Sequence, residues 1–421
     1  MSIRLSINSK ELLRMNRLLV ILLASGAFLT GTAEFVAAGI LPAIAKDLNI
    51  SLSLAGQLIT AYSLAFAIGT PIVVSVTSRM GRKEVVMGAL ALFVLGSMIA
   101  WMSDVYLIQF VARLILGLSA GIYSVVAVSS IAKLVPPEKM GSSLSAFALA
   151  FGAAMTLGVP IGIAIAAAVG WKAIFALLGV FSLIVLLLLL RLLPQIEGDE
   201  PVPFVRQFSV VKKGVIVSGL CITFFFLASN SLMLTYLTPF LQNVLHLEMT
   251  SVGIVMSALG MIGIIGSRIG GIGVDKWGSV PMLAATLLLS VVTLGLLPAA
   301  ASWLYAGLFL IGLWFSSVFM NAPALNAYFI QQAPSFSNLV LGINLSVVHL
   351  GNAFGAGIGG ILVEATSTVF HHAWVAGCLA AISVISALVS FAWRRKGKVG
   401  KKKEASMYSI ENQRTGDVCK L

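Results

Sequence analysis

Residues 74–83 read VSVTSRMGRK, and residues 271–280 read GIGVDKWGSV. Both stretches run from small or apolar residues through a polar residue, a base and one free position to a glycine. Ser78-Arg79-Met80-Gly81 aligns with Asp275-Lys276-Trp277-Gly278, 197 residues further on. That offset is close to half of a 421-residue chain, as expected for a duplicated unit. A tight turn collects glycine and a base on its own account. The shared register, at the same loop of each half, argues for duplication instead.

Both copies sit between long apolar runs. Runs long enough for a roughly 30 Å hydrocarbon core fall at 18–42, 54–77, 84–102, 105–132, 142–168, 171–193, 214–240, 251–273, 279–300, 302–331, 337–364 and 373–393. Composition agrees: 59% of residues are apolar and 10% charged, where soluble domains run at about 45–50% and about 25%. The mean hydropathy of +1.03 leaves too little polar surface to coat a water-soluble body. A soluble enzyme, a disordered chain and a disulfide-stapled module are excluded. Cys221, Cys378 and Cys419 have no ligand-like spacing.

The net charge of +12 suggests nucleic acid until its placement is read. With the N-terminus in the cytoplasm, all 27 Lys and Arg residues except Lys46, Lys172 and Arg113 fall on the inner side. This is the positive-inside bias, and an even number of spans returns the C-terminus to the cytoplasm. The charge sets topology, no nucleic-acid partner is expected, and the 394–403 cluster suits anionic membrane lipid. Ala43-Ile44-Ala45 resembles a signal cleavage site, but residues 18–33 already exceed a signal's apolar core and the helix pattern continues past Glu34.

The polar interval 194–213 divides six spans from six. The expected organisation is a cytoplasmic N-terminus (1–17), a six-helix bundle (18–193), a cytoplasmic linker (194–213) with room for one interfacial helix, a second six-helix bundle (214–393) and a basic tail (394–421). The fold class is an all-α polytopic membrane protein with twelve transmembrane helices in two pseudo-symmetric bundles. There is no G-x-x-x-x-G-K-[ST] loop for ATP, and no H-E-x-x-H, nucleophile elbow or cysteine cluster. An enzyme, a cofactor and a metal are not expected.

At these residues the sequence resembles the major facilitator superfamily across residues 15–395. Its loop signature is G-x-L-x-D-R-x-G-R-K. The second copy keeps Gly271, Asp275, Lys276 and Gly278. The first keeps Arg79, Gly81, Arg82 and Lys83, with Val74 and Ser78 in place of the Gly and the Asp. In family members that Asp helps latch the halves at the cytoplasmic side. Three stretches resemble the twelve-helix drug:proton antiporter subfamily. They are Arg113-x3-Gly117-x3-Gly121, then Gly158-Val159-Pro160-Ile161-Gly162 preceded by Gly152, then Gly170-Trp171-Lys172 with Phe175. The run 31–48 and the series Asn344, His349, Asn352, Gly355, Gly359 and Gly360 look most like its sugar-efflux and purine-efflux branches. The resemblance implies the major facilitator fold in a cell membrane and alternating access. It also implies export of arabinose-like sugars, nucleobases, ribonucleosides or antibiotics against incoming protons.

Three ionisable residues lie inside spans: Glu34, Arg113 and His349. Such residues normally face a bundle interior or wet cavity and carry function. At 1.5 Å per residue, Glu34 lies roughly 9 Å and Arg113 roughly 12 Å below the outer surface, so the two can meet. In the superfamily fold both belong to cavity-lining helices. Glu34 is read as the protonatable carboxylate and Arg113 as its electrostatic partner, since a site that exchanges protons must balance desolvation against a nearby charge. The alternative is a structural salt bridge between helices, or an outward-facing Glu34 hydrated from the periplasm. His349, roughly 18 Å up its helix, is either a second titrating group or a neutral partner of Asn352 or Asn344.

Polar residues of the second half are candidate solute contacts: Asn230 with Ser229 and Ser231, Tyr236, Asn321, Asn326 near Trp314, and Asn352. Amides beside aromatic rings suit a neutral, flat or polyhydroxylated ligand; inter-helix hydrogen bonding is the alternative. The glycines at four-residue spacing suit close helix packing. Pro160, between Gly158 and Gly162, is expected to bend its helix in a tight seam between the halves. The expected partners are a small-molecule substrate, protons and lipid, with the chain acting as a monomer. An uptake symporter or facilitator on the same fold is the competing reading. A third is a sensor or scaffold acting through the tail 396–421.

Overall fold

The computed structural model describes residues 9–198 and 213–394. Residues 1–8 of the expected N-terminal segment, 199–212 of the linker and 395–421 of the tail lie outside the described residues. No strand occurs among those described, and twelve of their helices are long and apolar enough to cross a membrane. They are α1 (Arg17–Gly39), α2 (Leu52–Val76), α3 (Arg82–Met102), α4 (Tyr106–Leu134), α5 (Glu138–Val169), α6 (Lys172–Leu192), α7 (Gly214–Thr235), α8 (Met249–Trp277), α9 (Ser279–Ala300), α10 (Leu304–Gln332), α11 (Leu339–Thr366) and α12 (His372–Arg394). An even number places both ends of the described chain on one face, here the terminal face; the other is the distal face.

The duplication reappears where the first helix of each half ends. α1 stops at Gly39 and a short helix follows at Leu41–Asp47; α7 stops at Thr235 and a short helix follows at Leu237–Asn243. The seventh apolar run, expected unbroken over 214–240, is therefore interrupted at Tyr236, which leaves helical geometry at φ −104° and ψ 14°. Pro42 and Pro239, again 197 residues apart, lie in the first turns of these short helices, where a proline gives up no helical hydrogen bond. The two short helices touch across the halves, and Thr238 donates to the Gly39 carbonyl at 3.2 Å.

Residue type decides which helices face outward. α6 is nearly pure leucine at its end and exposes Leu177, Val180, Phe181, Ile184, Leu187, Leu188 and Leu190. α1, α4 and α7 are the most enclosed of the twelve and carry polar groups inside their spans. Two helices contain a π-turn, Ala65–Gly69 in α2 and Ala154–Gly158 in α5. Each runs into a proline two residues later, Pro71 and Pro160. A proline ring clashes with the carbonyl one turn earlier and offers no N–H; widening that turn absorbs the conflict. The disruption expected at Pro160 thus takes the form of a π-turn.

The two bundles meet along α2 with α11 and along α5 with α8. Thr60 donates to the Ala353 carbonyl at 3.4 Å. A Cβ on Gly260 of α8 would run into the backbone of Thr156 in the α5 π-turn. Gly158 and Gly162 do not form this seam, contrary to expectation: they face Thr32 and Val36 of α1, inside the first bundle. Every hydrogen bond and ion pair joining described residues of different bundles lies between mid-depth and the distal face.

On the terminal face the α2–α3 loop holds the chain leaving α6. The Arg82 N–H donates to the Ile196 carbonyl at 2.8 Å, and Lys133 Nζ to that of Glu197 at 2.8 Å. Gly278, at φ +88°, supplies the backbone turn that a side chain would strain. Asp275 is exposed and makes no ion pair with a described residue.

Candidate functional site

The site is built on one face of α4. Arg113, Gly117 and Gly121 recur every four residues and so stack on that face. Arg113 Nη1 donates to the Ala33 carbonyl of α1 at 2.9 Å, and its guanidinium lies 4.8 Å from the ring centre of Phe175 on α6. Gly117 lets the α2 backbone come so close that a Cβ would strike the Tyr62 carbonyl. Gly121 leaves room for the Phe66 ring and the Thr70 hydroxyl. One motif therefore seats α1 at residue 33 and α2 at residues 62–70.

Tyr62 and Phe66, one turn apart on α2, complete the seating. The Tyr62 hydroxyl donates to the Thr30 carbonyl of α1 at 3.3 Å and lies within electrostatic reach of both Glu34 and Arg113. Phe66 crosses to the other bundle: its ring stacks on the His349 imidazole of α11, centroids 3.5 Å apart and planes 18° apart. His349 Nδ1 in turn lies 3.6 Å from Glu34 Oε1, with the two side chains only 4% and 8% exposed. The second carboxylate oxygen, Oε2, has no hydrogen-bond partner.

This arrangement corrects the expected pairing. Glu34 and Arg113 do meet, but through the backbone: the guanidinium holds the carbonyl preceding Glu34, while the carboxylate turns to His349 in the opposite bundle. Nor does His349 pair with an asparagine. Asn344 Oδ1 accepts from Thr223 at 2.6 Å, and the Asn352 carbonyl accepts from Ser231 at 2.7 Å, both within the second bundle.

The candidate solute contacts separate into two groups. Asn321 is buried and donates to Thr286 at 2.9 Å, tying α10 to α9. Tyr236 is buried in the distal seam, its hydroxyl donating to Ala356 at 3.3 Å beside Gly56 and its ring 4.7 Å from that of His372. Both are structural in this arrangement. Asn326 is exposed and makes no hydrogen bond with a described residue. Asn230 Oδ1 is buried without a partner, flanked by Ser229 and Ser231, which are bonded to Ala376 and Asn352. By the 197-residue offset of the repeat, Glu34 corresponds to Ser231, and Asn230 is its immediate neighbour, five residues before the end of α7.

Chemically, a carboxylate and an imidazole in contact inside a low-dielectric core can hold one proton between them, and the contact joins the two bundles. Separating the bundles at this level takes the partner from each. No group of three or more His, Cys, Asp or Glu residues able to hold a metal occurs among the described residues. Reading the sequence missed Tyr62 and Phe66. Their i, i+4 spacing in register with Gly117 and Gly121 was the available signal.

The sequence model of the Major Facilitator Superfamily matches residues 23–337. The uncharacterized MFS-type transporter YbcL of Bacillus subtilis is 36% identical over 372 residues, 88% of this chain and 95% of that protein. A crystal structure of a D-xylose-proton symporter superposes with TM-score 0.74 at 18% identity, covering 89% of this chain and 97% of that one. The inward open xylose transporter XylE of E. coli does so with TM-score 0.71 at 17% identity, covering 90% and 96%.

Proposed function

The chain belongs to the Major Facilitator Superfamily and is a multi-pass membrane transporter, not an enzyme, and on that premise we propose that it is a proton-coupled exporter of small solutes working by alternating access. The observation that carries this reading is the Glu34–His349 contact across the two bundles. A protonatable pair that exists only while the bundles touch at this level ties proton occupancy to their arrangement, which is what exchange of a proton for a solute requires. The positive-inside bias of the loops assigns the terminal face, with both termini, to the cytoplasm. On that assignment the distal contacts close the outside.

In this account Arg113 keeps a positive charge close to Glu34 and fixes the α1 backbone. The α4 glycines and the π-turns of α2 and α5 seat the helices that slide at the seam. Arg79, Gly81, Arg82 and their second copy Gly271, Asp275, Lys276 and Gly278 shape the cytoplasmic turns. Asn230, with a free buried acceptor next to the second-half counterpart of Glu34, is the first contact for a neutral, hydrogen-bonding solute. Nucleobases, nucleosides, pentoses and uncharged antibiotics fit that chemistry, in keeping with the sugar-efflux and purine-efflux branch of the drug:proton antiporters. The six-helix bundles 18–193 and 214–393, joined by the linker 194–213, move against each other within one monomer in the cell membrane.

The test is substrate-induced proton release from energised everted vesicles, screened with nucleosides, purines, pentoses and common antibiotics. A solute that releases protons in vesicles containing the protein, and not in vesicles lacking it, supports the proposal. Accumulation of labelled solute by energised whole cells would instead make the protein an uptake symporter.

A further inference from the structure

The face of an imidazole is poorly defined by its own torsions, because rotation about the terminal bond to the ring is broad. Neighbours must set it. His349 makes no hydrogen bond to a described residue; Nδ1, buried, stands 3.6 Å from Glu34 Oε1. What does define the ring plane is Phe66, nearly parallel to it at 3.5 Å. Phe66 is itself 3% exposed. It lies in the π-turn Ala65–Gly69, with its ring base in the space left by the missing side chain of Gly121.

We propose that Phe66 is the positioning residue of this site: its ring, lodged against Gly121, fixes the plane of the His349 imidazole so that Nδ1 faces Glu34. The inference rests on the reading of Glu34 and His349 as the proton site, and it adds the part that aligns them. It also gives the α4 motif a purpose beyond close packing. Arg113 sets the height of Glu34 through the Ala33 carbonyl, and Gly121 sets the height of the imidazole through Phe66. Both partners of the inter-bundle contact are thus aligned from a single helix. The titratable group that faces the imidazole is Glu34 on α1.

The experiment is NMR of the full chain, labelled at histidine and placed in lipid nanodiscs, without any solute. His349→Asn identifies the resonances of His349 among the four histidines. Two results are expected of the native chain: ring protons of His349 displaced upfield by the stacked Phe66, and a shift of its resonances on Glu34→Gln. In Phe66→Leu, and in Phe66→Met should the leucine variant not fold, both the upfield displacement and the response to Glu34→Gln should be lost. Phe66→Tyr, which keeps the ring, should retain both. The proposal is overturned if His349 of the native chain ignores Glu34→Gln, or if folded Phe66→Leu or Phe66→Met keeps that response. Normal proton-coupled transport by Glu34→Gln would remove the functional reading while leaving the alignment by Phe66 standing, so the two fail separately.

Discussion

Glu34 Oε1 and His349 Nδ1 face each other 3.6 Å apart from opposite bundles, both side chains almost wholly buried. This is the one carboxyl–imidazole contact between described residues of the two halves, and it sits where α1 meets α11, beside the α2–α11 seam. Removing one partner leaves the other a buried polar group without it, at a cost of about 1–3 kcal/mol. That cost falls on the distally closed arrangement alone.

His349→Ala is therefore expected to open the distal seam. In a chain with its native cysteines replaced, a Ser53→Cys reporter at the distal end of α2 should react faster with a membrane-impermeant maleimide once His349 is truncated. The expected gain is roughly fivefold to a hundredfold. An unchanged labelling rate would show that the pair does not hold the bundles together.

Gly117→Ala places a methyl group against the Tyr62 carbonyl. Overpacking of this kind costs about 1–3 kcal/mol, so the melting temperature in detergent should fall by several degrees. Gly271→Ala, where a Cβ meets nothing within 4 Å, should leave it within a degree or raise it. Equal losses from both would mean that the α4 glycine is a helix-propensity matter only.

Gly260→Leu should block transport in a folded protein by wedging α8 from the α5 π-turn, because the obstructed contact is between bundles. Gly158→Leu obstructs α1 within one bundle and should instead lower the yield of folded protein. Size-exclusion profiles and transport rates of the two variants separate these outcomes; normal transport by Gly260→Leu would remove the seam from the mechanism.

Asn230→Ala and Asn321→Ala should behave oppositely. Asn321 spends its amide on Thr286, and losing an inter-helix bond of this kind costs about 0.6 kcal/mol, up to roughly 1.7, with solute affinity unchanged. Asn230 has no partner to lose at Oδ1, so its truncation should raise the apparent KM and leave the melting temperature where it was. A stability loss without a KM change at Asn230 would return it to the structural group.

The fold was legible because the bilayer imposes one-dimensional rules. Apolar run length marked every span, loop charge marked one face, and the copies at Ser78 and Asp275 revealed the repeat that Pro42 and Pro239 share. The site was half legible. Glu34, Arg113 and His349 stood out because a charge inside an apolar run is expensive. Their pairing did not, because residue spacing gives depth along a helix but not the direction a side chain takes across a bundle. Glu34 and Arg113 do come together, yet the carboxylate swings away to His349. Phe66 escaped notice since an aromatic in an apolar run carries no signal of its own. The direction of Gly158 towards α1 and the break at Tyr236 were hidden for related reasons. The first depends on which neighbour α5 presents to its glycine face, and the second interrupts a run of uniformly apolar residues.

The central claim is tested most directly by Glu34→Gln, which keeps the size and hydrogen-bonding capacity of the side chain but cannot release a proton. In everted vesicles, with whichever solute drives proton release in the native protein, the account predicts a folded variant in which solute addition releases no protons and gradient-driven transport is lost. Proton release and energised transport equal to the native protein would contradict it.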